Sequence, residues 1–423
     1  MKKKHIIIGA SAAGIGVLSK LRNLAPEDDI LCVAAQSEMP FNTCLLANFL
    51  STGIYPTGLY TKPESFFSKN HIDLKLNTFI KQIDRKNNRI ANQEGTWYYY
   101  DNLFLGIGTQ PRTLQTEFSP KQGYFQFHTL KDALEIDTFL RTHRPLTAIV
   151  VGAGLSGIEC ADALTERGVR VTVLDPGTEP LSTLLDETAG EMLEQMMTRA
   201  GTTFYASSKV KHVLVEPFTG ATAGVLLDND IELYADMVIA AIGTQSNLEL
   251  AMQAGASIMS GGMFVNRHMQ IEAHNIYCGG DAATVPTTHR YPKPEKASKD
   301  THKSARSCTW PDAIQHGMIA AQAMAGKPVD YAGVTLIMSS HFYDTQVVST
   351  GIPPLRKNAS KESATVYQGD NWYHSFVVKN DSLESFFMLG NIRNVGLYRK
   401  LVATQEPFDL SILDPLRGVS PVE

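Results

Sequence analysis

Ile149-Val150-Val151-Gly152-Ala153-Gly154-Leu155-Ser156-Gly157-Ile158-Glu159 decides the fold. An apolar run ends at Gly152, and Gly154 and Gly157 follow at the spacing G-x-G-x-x-G. Between a strand and a helix, this is the turn on which a dinucleotide pyrophosphate rests. The first glycine makes the sharp bend, the second leaves room for phosphate oxygens, and the third lets the helix pack on the strand. The strand starts at Ala148, the helix covers 157–167, and the chain returns as Val171-Thr172-Val173-Leu174, which completes a βαβ unit. Asp175 ends the returning strand 23 positions after Gly152, the spacing of the acid that binds the adenosine ribose hydroxyls. An acid there repels a 2′-phosphate, and Pro176-Gly177-Thr178 supplies no arginine, so NADH is favoured over NADPH.

A second turn of this kind stands near the start of the chain, in His5-Ile6-Ile7-Ile8-Gly9-Ala10-Ser11-Ala12-Ala13-Gly14. Gly9 and Gly14 fill the first and last roles, while Ser11 replaces the middle glycine. Its small side chain leaves room, and its hydroxyl is able to donate to phosphate. Ala12, Ala13 and Gly14 lead into a helix over 14–24, whose N-terminal N–H groups attract an anion. Ile30 to Ala34 reads as the next strand, and Ala34-Ala35-Gln36-Ser37-Glu38 follows it. Gln36 or Glu38 binds the ribose hydroxyls there, or a backbone group does so instead. Two such turns about one domain apart imply two dinucleotides and electron transfer between them.

The 423 residues predict two or three domains. A hydrophobic fraction of 43% with 19% charged residues places the chain among ordinary globular proteins. The net charge of -5 gives no nucleic-acid signature. Cys32, Cys44, Cys160, Cys278 and Cys308 are odd in number and scattered, which argues for a reducing, cytoplasmic setting. Met-Lys-Lys-Lys before an apolar run imitates a secretion signal, but Gly9 and Gly14 break the run. No run approaches the roughly 18 residues of a membrane span. The absence of paired cysteine or His-x-x-x-His spacing predicts no metal. Cys32, Cys160 and Cys278 read as small core residues.

Tyr100 to Gly108, Ala235 to Gly243 and Asn275 to Gly280 read as further buried strands ending at glycine. Residues 286–309 carry His289, Arg290, Lys293, Lys296, Lys299, His302, Lys303 and Arg306 without an aliphatic run, and read as a surface excursion. From about 331 the pattern turns to strands, at Gln346-Val347-Val348, Tyr373 to Val378 and Phe386 to Leu389, with a helix near 395–404.

Taken in order, Tyr100 to Pro111, Ala235 to Gly243, Ile276 to Ala283, Trp310 to Gly317 and His341 to Gly351 resemble motifs of the FAD- and NAD(P)H-dependent pyridine nucleotide-disulfide oxidoreductase superfamily. Within it the chain looks like the branch of CoA-disulfide reductases, NADH oxidases and peroxidases, NADH-rubredoxin reductases and nitrite reductase flavin modules. The resemblance implies an α/β fold, with two Rossmann-like dinucleotide-binding domains and a C-terminal α+β dimerisation domain. It implies an FAD domain of 1–112 and 245–329, an NAD(H) domain of 113–244, an interface domain of 330–423, and a homodimer. The chain crossings place Gly108 and Gly243 at the cofactors, although Gly106-Ile107-Gly108 departs from the family's Ala-Thr-Gly. Asp281, with Ala282, takes the role of the acid that bonds the ribityl chain, and Glu159 orients the nicotinamide side.

Cys44 lies 30 residues after Gly14, in Pro40-Phe41-Asn42-Thr43-Cys44-Leu45-Leu46. CoA-disulfide reductases and NADH oxidases carry their single redox cysteine at this place, cycling through a mixed disulfide or a sulfenic acid. A helix N-terminus beside it favours the thiolate. Rubredoxin and nitrite reductase modules have a Pro-Tyr-Asn-Arg-x-Leu-Leu run there instead, and this segment, with Thr43 before the cysteine, mixes the two patterns. Lys20 and Arg22 resemble the basic residues that meet CoA phosphates, or form a solvated helix face. The expected activity is transfer of hydride from NADH to FAD and on, through Cys44, to CoA disulfide, persulfide, peroxide or oxygen. The alternatives are an electron-transfer reductase for a rubredoxin-like carrier, with Cys44 inert, and a flavin-bound redox sensor with little turnover. The partner is thus a small molecule or a small redox protein, with no nucleic acid and no membrane.

Overall fold

The computed structural model describes residues 2–116, 118–286, 309–333, 335, 337–350 and 365–413, with the backbone alone at 304, 305 and 364. The basic side chains from His289 to Arg306, and Cys308, lie outside the described residues. By contact the chain divides into two units, one of 1–46, 55–110 and 244–334, the other of 47–54, 111–243 and 335–423.

The first unit is built on the strand Lys4–Ile8. Ile6, Ile7 and Ile8 are all buried although neighbours point to opposite faces, which requires a sheet covered on both sides. That strand is central in a parallel sheet of order Ile276–Cys278, Asn102–Leu105, Lys4–Ile8, Asp29–Val33, Ile72–Lys75. The chain leaves the central strand through the helix Ala12–Leu24 to one neighbour, and the other neighbour comes from much later in the sequence. This reversal of strand order opens a crevice at the strands' carboxyl ends, where ligands bind in such sheets.

Helix Ala12–Leu24 packs on the helix Trp310–Met324 without side chains between their closest points. A Cβ at Gly317 would lie 2.0 Å from the carbonyl oxygen of Ala13, and one at Gly16 would lie 2.3 Å from that of Ile314. Only glycine allows two helix backbones this close.

The second unit repeats the plan. The strand Thr147–Val151 is central in a parallel sheet of order Thr202–Tyr205, Arg170–Leu174, Thr147–Val151, Met237–Ala240, Tyr124–Gln126. The helix Leu155–Glu166 follows the central strand and buries Ile158, Cys160, Ala161 and Leu164. Residues 337–342, 345–350, 364–369, 372–379 and 382–389 form an antiparallel sheet in which 345–350 pairs with 382–389. Two-residue loops at Tyr343-Asp344 and Asn380-Asp381 close two of its hairpins, all four residues having positive φ, as type I′ turns need. Helix Val395–Thr404 covers this sheet through Tyr398, Leu401 and Val402 against Phe376 and Phe386. The fold is therefore α/β with two doubly wound parallel sheets, and an α+β arrangement at the C-terminal end.

The helix crossing makes a prediction. Gly317→Ala forces the Ala13 and Gly317 backbones apart and is expected to lower the stability of the chain by about 3 kcal/mol in denaturant unfolding. Gly396→Ala, at an exposed helical position with open space around its Cβ, is expected to be neutral or to stabilise by about 0.5 kcal/mol. Equal behaviour of the two variants would show that the crossing tolerates a methyl group.

Candidate functional site

In the first unit Gly9 has φ +96, and a Cβ there would lie 2.1 Å from the carbonyl oxygen of Gly106. The turn thus rests directly on the chain that leaves the neighbouring strand. A Cβ at Gly14 would lie 1.9 Å from the Gly9 carbonyl oxygen, so the helix begins against the turn itself. Ser11 is the helix N-cap with φ -81, a value any residue adopts, and its side chain makes no capping bond. It is exposed, while Ala12 and Ala13 are buried behind it. The middle position therefore tolerates serine because it faces outward, and its hydroxyl is not used as a cap.

The crossing of the two helices carries the second motif to this turn. A Cβ at Gly280 would lie 3.2 Å from the Ala13 side chain. Asp281 is therefore adjacent to the first glycine turn, though 272 positions after Gly9. It sits half-buried in the short 3-10 turn Gly280–Ala282, with Ala282 buried. Gly108 has open space around it, and its carbonyl accepts the Asn247 N–H at 3.3 Å. Gln36 is half-buried and donates its amide to the carbonyl of Glu38 at 3.0 Å. The Glu38 carboxylate accepts from the Ser37 hydroxyl at 2.8 Å.

The second unit builds its turn identically. Gly152 has φ +109, and its Cβ would lie 2.3 Å from the carbonyl oxygen of Ala241, the residue after the neighbouring strand. At Gly157 a Cβ would meet the Gly152 carbonyl oxygen at 1.9 Å. Gly154 has nothing within 4 Å, which leaves the middle position open, and Gly243 is likewise open. Leu155 is half-buried and Ser156 exposed at the helix start. Asp175 reaches this turn: its carboxylate accepts the N–H of Ala153 at 2.7 Å and that of Gly177 at 2.7 Å. The acid is thereby fixed beside the turn, and each oxygen retains a lone pair for a hydroxyl donor. These two cradles, open only at their middle positions and crowded by backbone elsewhere, fit two dinucleotides.

Glu159 lies one turn further along the helix. Burial pushes its carboxyl above the usual range, opposed by a hydrogen bond from the Ser340 hydroxyl. Ser340 belongs to the strand Ile337–Phe342 of the antiparallel sheet, so that sheet fixes the Glu159 side chain.

Cys44 is exposed, in the 3-10 turn Thr43–Leu45, and its N–H donates to the Asn42 side chain at 3.0 Å. Thr43 beside it is also exposed. The segment before it is held by residues 59–61: Asn42 N–H bonds the Leu59 carbonyl at 2.7 Å, and Thr61 N–H the Pro40 carbonyl at 2.8 Å. Cys32, Cys160 and Cys278 are buried, and burial raises all three thiols, Cys32 to about 12. Among the described cysteines only Cys44 meets solvent.

Arg22 is tied to the backbone around it. Its guanidinium donates to the carbonyls of Asn70 at 2.6 Å, Ala25 at 3.2 Å, Pro26 at 2.7 Å, Asp28 at 2.9 Å and His71 at 3.0 Å. All three nitrogens are engaged in joining the helix end to two loops, a structural role beside the one expected from the sequence. Lys20 is half-buried on the same helix.

Two clusters escaped the sequence reading. Asp137 pairs with Arg141 at 2.8 Å and Arg167 at 2.9 Å. Those arginines donate to the carbonyls of Gly53 and Leu50, at the end of the helix Leu46–Thr52 that follows Cys44. Cations suit a helix C-terminus, but nothing in the sequence pairs positions this far apart. The second cluster is Asp312, His316 and Tyr331, of which Asp312 and His316 stand four apart on one helix face.

Among the described residues no helix is long and apolar enough to cross a membrane. Within the same residues, no three His, Cys, Asp or Glu side chains are grouped to hold a metal ion.

Comparison with known proteins gives the family. The profile of pyridine nucleotide-disulphide oxidoreductases matches residues 3–317. The chain is 27% identical to the epsilon subunit of NADH-dependent phenylglyoxylate dehydrogenase of Aromatoleum evansii, over 82% of this chain and 79% of the relative. It is 26% identical to the CoA-dependent NAD(P)H sulfur oxidoreductase of Pyrococcus abyssi, over 83% of this chain and 76% of the relative. The ferredoxin reductase for the CYP199A2 system of Rhodopseudomonas palustris has the same fold at a TM-score of 0.84 and 20% identity, covering 97% of this chain and 98% of that one. The chain belongs to the pyridine nucleotide-disulphide oxidoreductase family, as an FAD-dependent NAD(P)H oxidoreductase with NADH favoured.

Proposed function

We propose that the protein reduces a small disulfide, persulfide or peroxide with electrons from NADH, and that Cys44 is the thiol that meets the acceptor. The observation that carries this is the exposure of Cys44 beside three cysteines buried beyond reaction. A thiol must reach its partner sulfur before exchange begins. Bound FAD and NADH supply hydride transfer and storage of two electrons.

In this reading Gly9, Ser11, Ala12, Ala13, Gly14, Asp281 and Ala282 hold FAD, while Gly152, Gly154, Leu155, Ser156, Asp175 and Glu159 hold NADH. The Cys44 thiolate attacks one sulfur of the acceptor disulfide, forming a mixed disulfide as the other half leaves as thiolate. Two electrons then cleave the mixed disulfide and regenerate the Cys44 thiolate, and the two product thiolates are neutralised by one proton from solvent and the one that the hydride carried. The likeness to a CoA-dependent sulfur oxidoreductase supports this acceptor class. The Leu45-Leu46 run after Cys44 supports a second reading, delivery of electrons to a small redox protein without the thiol.

An anaerobic titration with NADH separates them. With the chain first treated with the disulfide, so that Cys44 stands as the mixed disulfide, and the excess removed, the thiol reading expects two equivalents per chain, one in Cys44→Ser, with turnover of disulfides falling at least about a hundredfold in the variant. One equivalent in both, with unchanged turnover, would leave the redox-protein reading standing.

Asp175→Ala tests the nucleotide choice. Loss of the carboxylate is expected to raise KM for NADH about tenfold and to leave KM for NADPH unchanged or lower. A parallel rise for both nucleotides would mean that Asp175 acts only by holding the Ala153 turn.

A further inference from the structure

The turn that carries Asp281 is supported from beneath by a buried chain of polar groups. Gly280 donates its backbone N–H to Nδ1 of His316 at 3.2 Å. A nitrogen that accepts carries no proton, so the neutral ring bears its hydrogen on Nε2. Nε2 faces Oδ2 of Asp312 at 3.5 Å, too long for a good hydrogen bond, so this buried N–H lies beside the carboxylate without a hydrogen-bond partner. Oδ1 of Asp312 accepts the Tyr331 hydroxyl at 2.6 Å. The Tyr331 ring also meets the His316 ring edge-on, with centroids 4.9 Å apart.

Every member of this chain is withdrawn from water. Asp312 and His316 are 0% exposed and Tyr331 is 1% exposed. Burial lowers the histidine's proton affinity more than the neighbouring carboxylate raises it, which keeps the ring neutral and Nδ1 free to accept. The fit is steric as well as polar, since a Cβ at Gly279 would lie 2.9 Å from the His316 Cβ and 3.1 Å from the Phe104 ring. A purely apolar packing residue would fill this place without an acid and a phenol behind it. The polar set fixes one orientation of the imidazole, and through it the peptide plane that leads into Asp281.

We propose that His316, oriented by Asp312 and Tyr331, is a positioning residue that sets the Gly280–Asp281 turn and through it the affinity of the chain for FAD. His316 touches the turn and is itself closed off from solvent beneath it. The inference rests on the flavin site alone, so an inert Cys44 leaves it unaffected.

The test uses full-length apoprotein prepared by flavin removal and titrated with FAD, with thermal unfolding of each apoprotein measured in parallel. His316→Leu is expected to bind FAD at least about tenfold more weakly. His316→Gln, whose amide is able to accept from Gly280 and donate to Asp312, is expected to stay within about threefold of the parent. Tyr331→Phe is expected to weaken FAD about threefold, and to add nothing on the His316→Leu background, because the two act through one chain. Parent-like binding by His316→Leu overturns the proposal. So does binding by His316→Gln as weak as that of His316→Leu when the apoproteins unfold at the same temperature. If His316→Leu does not fold, Tyr331→Phe decides alone: weaker FAD binding supports the proposal, and unchanged binding overturns it.

Discussion

The contact of two helix backbones at Gly16 and Gly317 governs the first unit. Helices normally meet through side chains and keep their axes about 8–10 Å apart. Here the Ala13 carbonyl lies where a Cβ of residue 317 would stand. Because the helix Trp310–Met324 rides this close, the Gly280–Asp281 turn packed against it touches Ala13. A distant acid thus reaches the pyrophosphate turn without any loop stretching to carry it. The contact also explains why Ala12, Ala13, Ala313, Ala320 and Ala321 are buried small residues along these helices, since any larger side chain would hold the turns apart.

The two glycine turns solve one steric problem in one way. In each, the first glycine lies against the carbonyl of the residue that follows the neighbouring strand, Gly106 for Gly9 and Ala241 for Gly152. In each, the third position lies against the first. These constraints are internal to the backbone and would hold with no cofactor present. The middle position alone is free of them, and there the two halves differ, serine at 11 and glycine at 154. The departure at Ser11 therefore leaves the turn intact and changes only the side chain exposed at its middle position.

The parallel sheets were legible because both-face burial leaves unbroken apolar runs, Ile6-Ile7-Ile8 and Ile149-Val150-Val151, ended by glycines whose roles are geometric. The role of Arg22 was not legible. Its partners include carbonyls at 70 and 71, and a carbonyl acceptor has no residue type to betray it. The Asp312–His316 pair showed its helical spacing, but its meaning depends on Tyr331 and Gly280, which only the fold brings together. Gln36 and Glu38 stayed ambiguous for a related reason. They bond to each other's segment, a local arrangement that composition does not reveal.

The same distinction bears on where electrons leave. Residues 9, 14, 152 and 157 are fixed by backbone contacts, so few other residues fit them. Thr43 and Cys44 are exposed, and the Asn42 cap bonds a backbone N–H that any residue but proline offers. Substitution at 43 or 44 therefore alters the chemistry presented to an acceptor at little cost to the fold. One scaffold then accommodates both a sulfur oxidoreductase and a ferredoxin reductase, as the relatives of this chain illustrate. It follows that overall likeness bears on the acceptor less than the side chains exposed near the flavin side do. In the thiol reading the choice falls to the turn that carries Cys44, the sole solvent-facing thiol among the described cysteines.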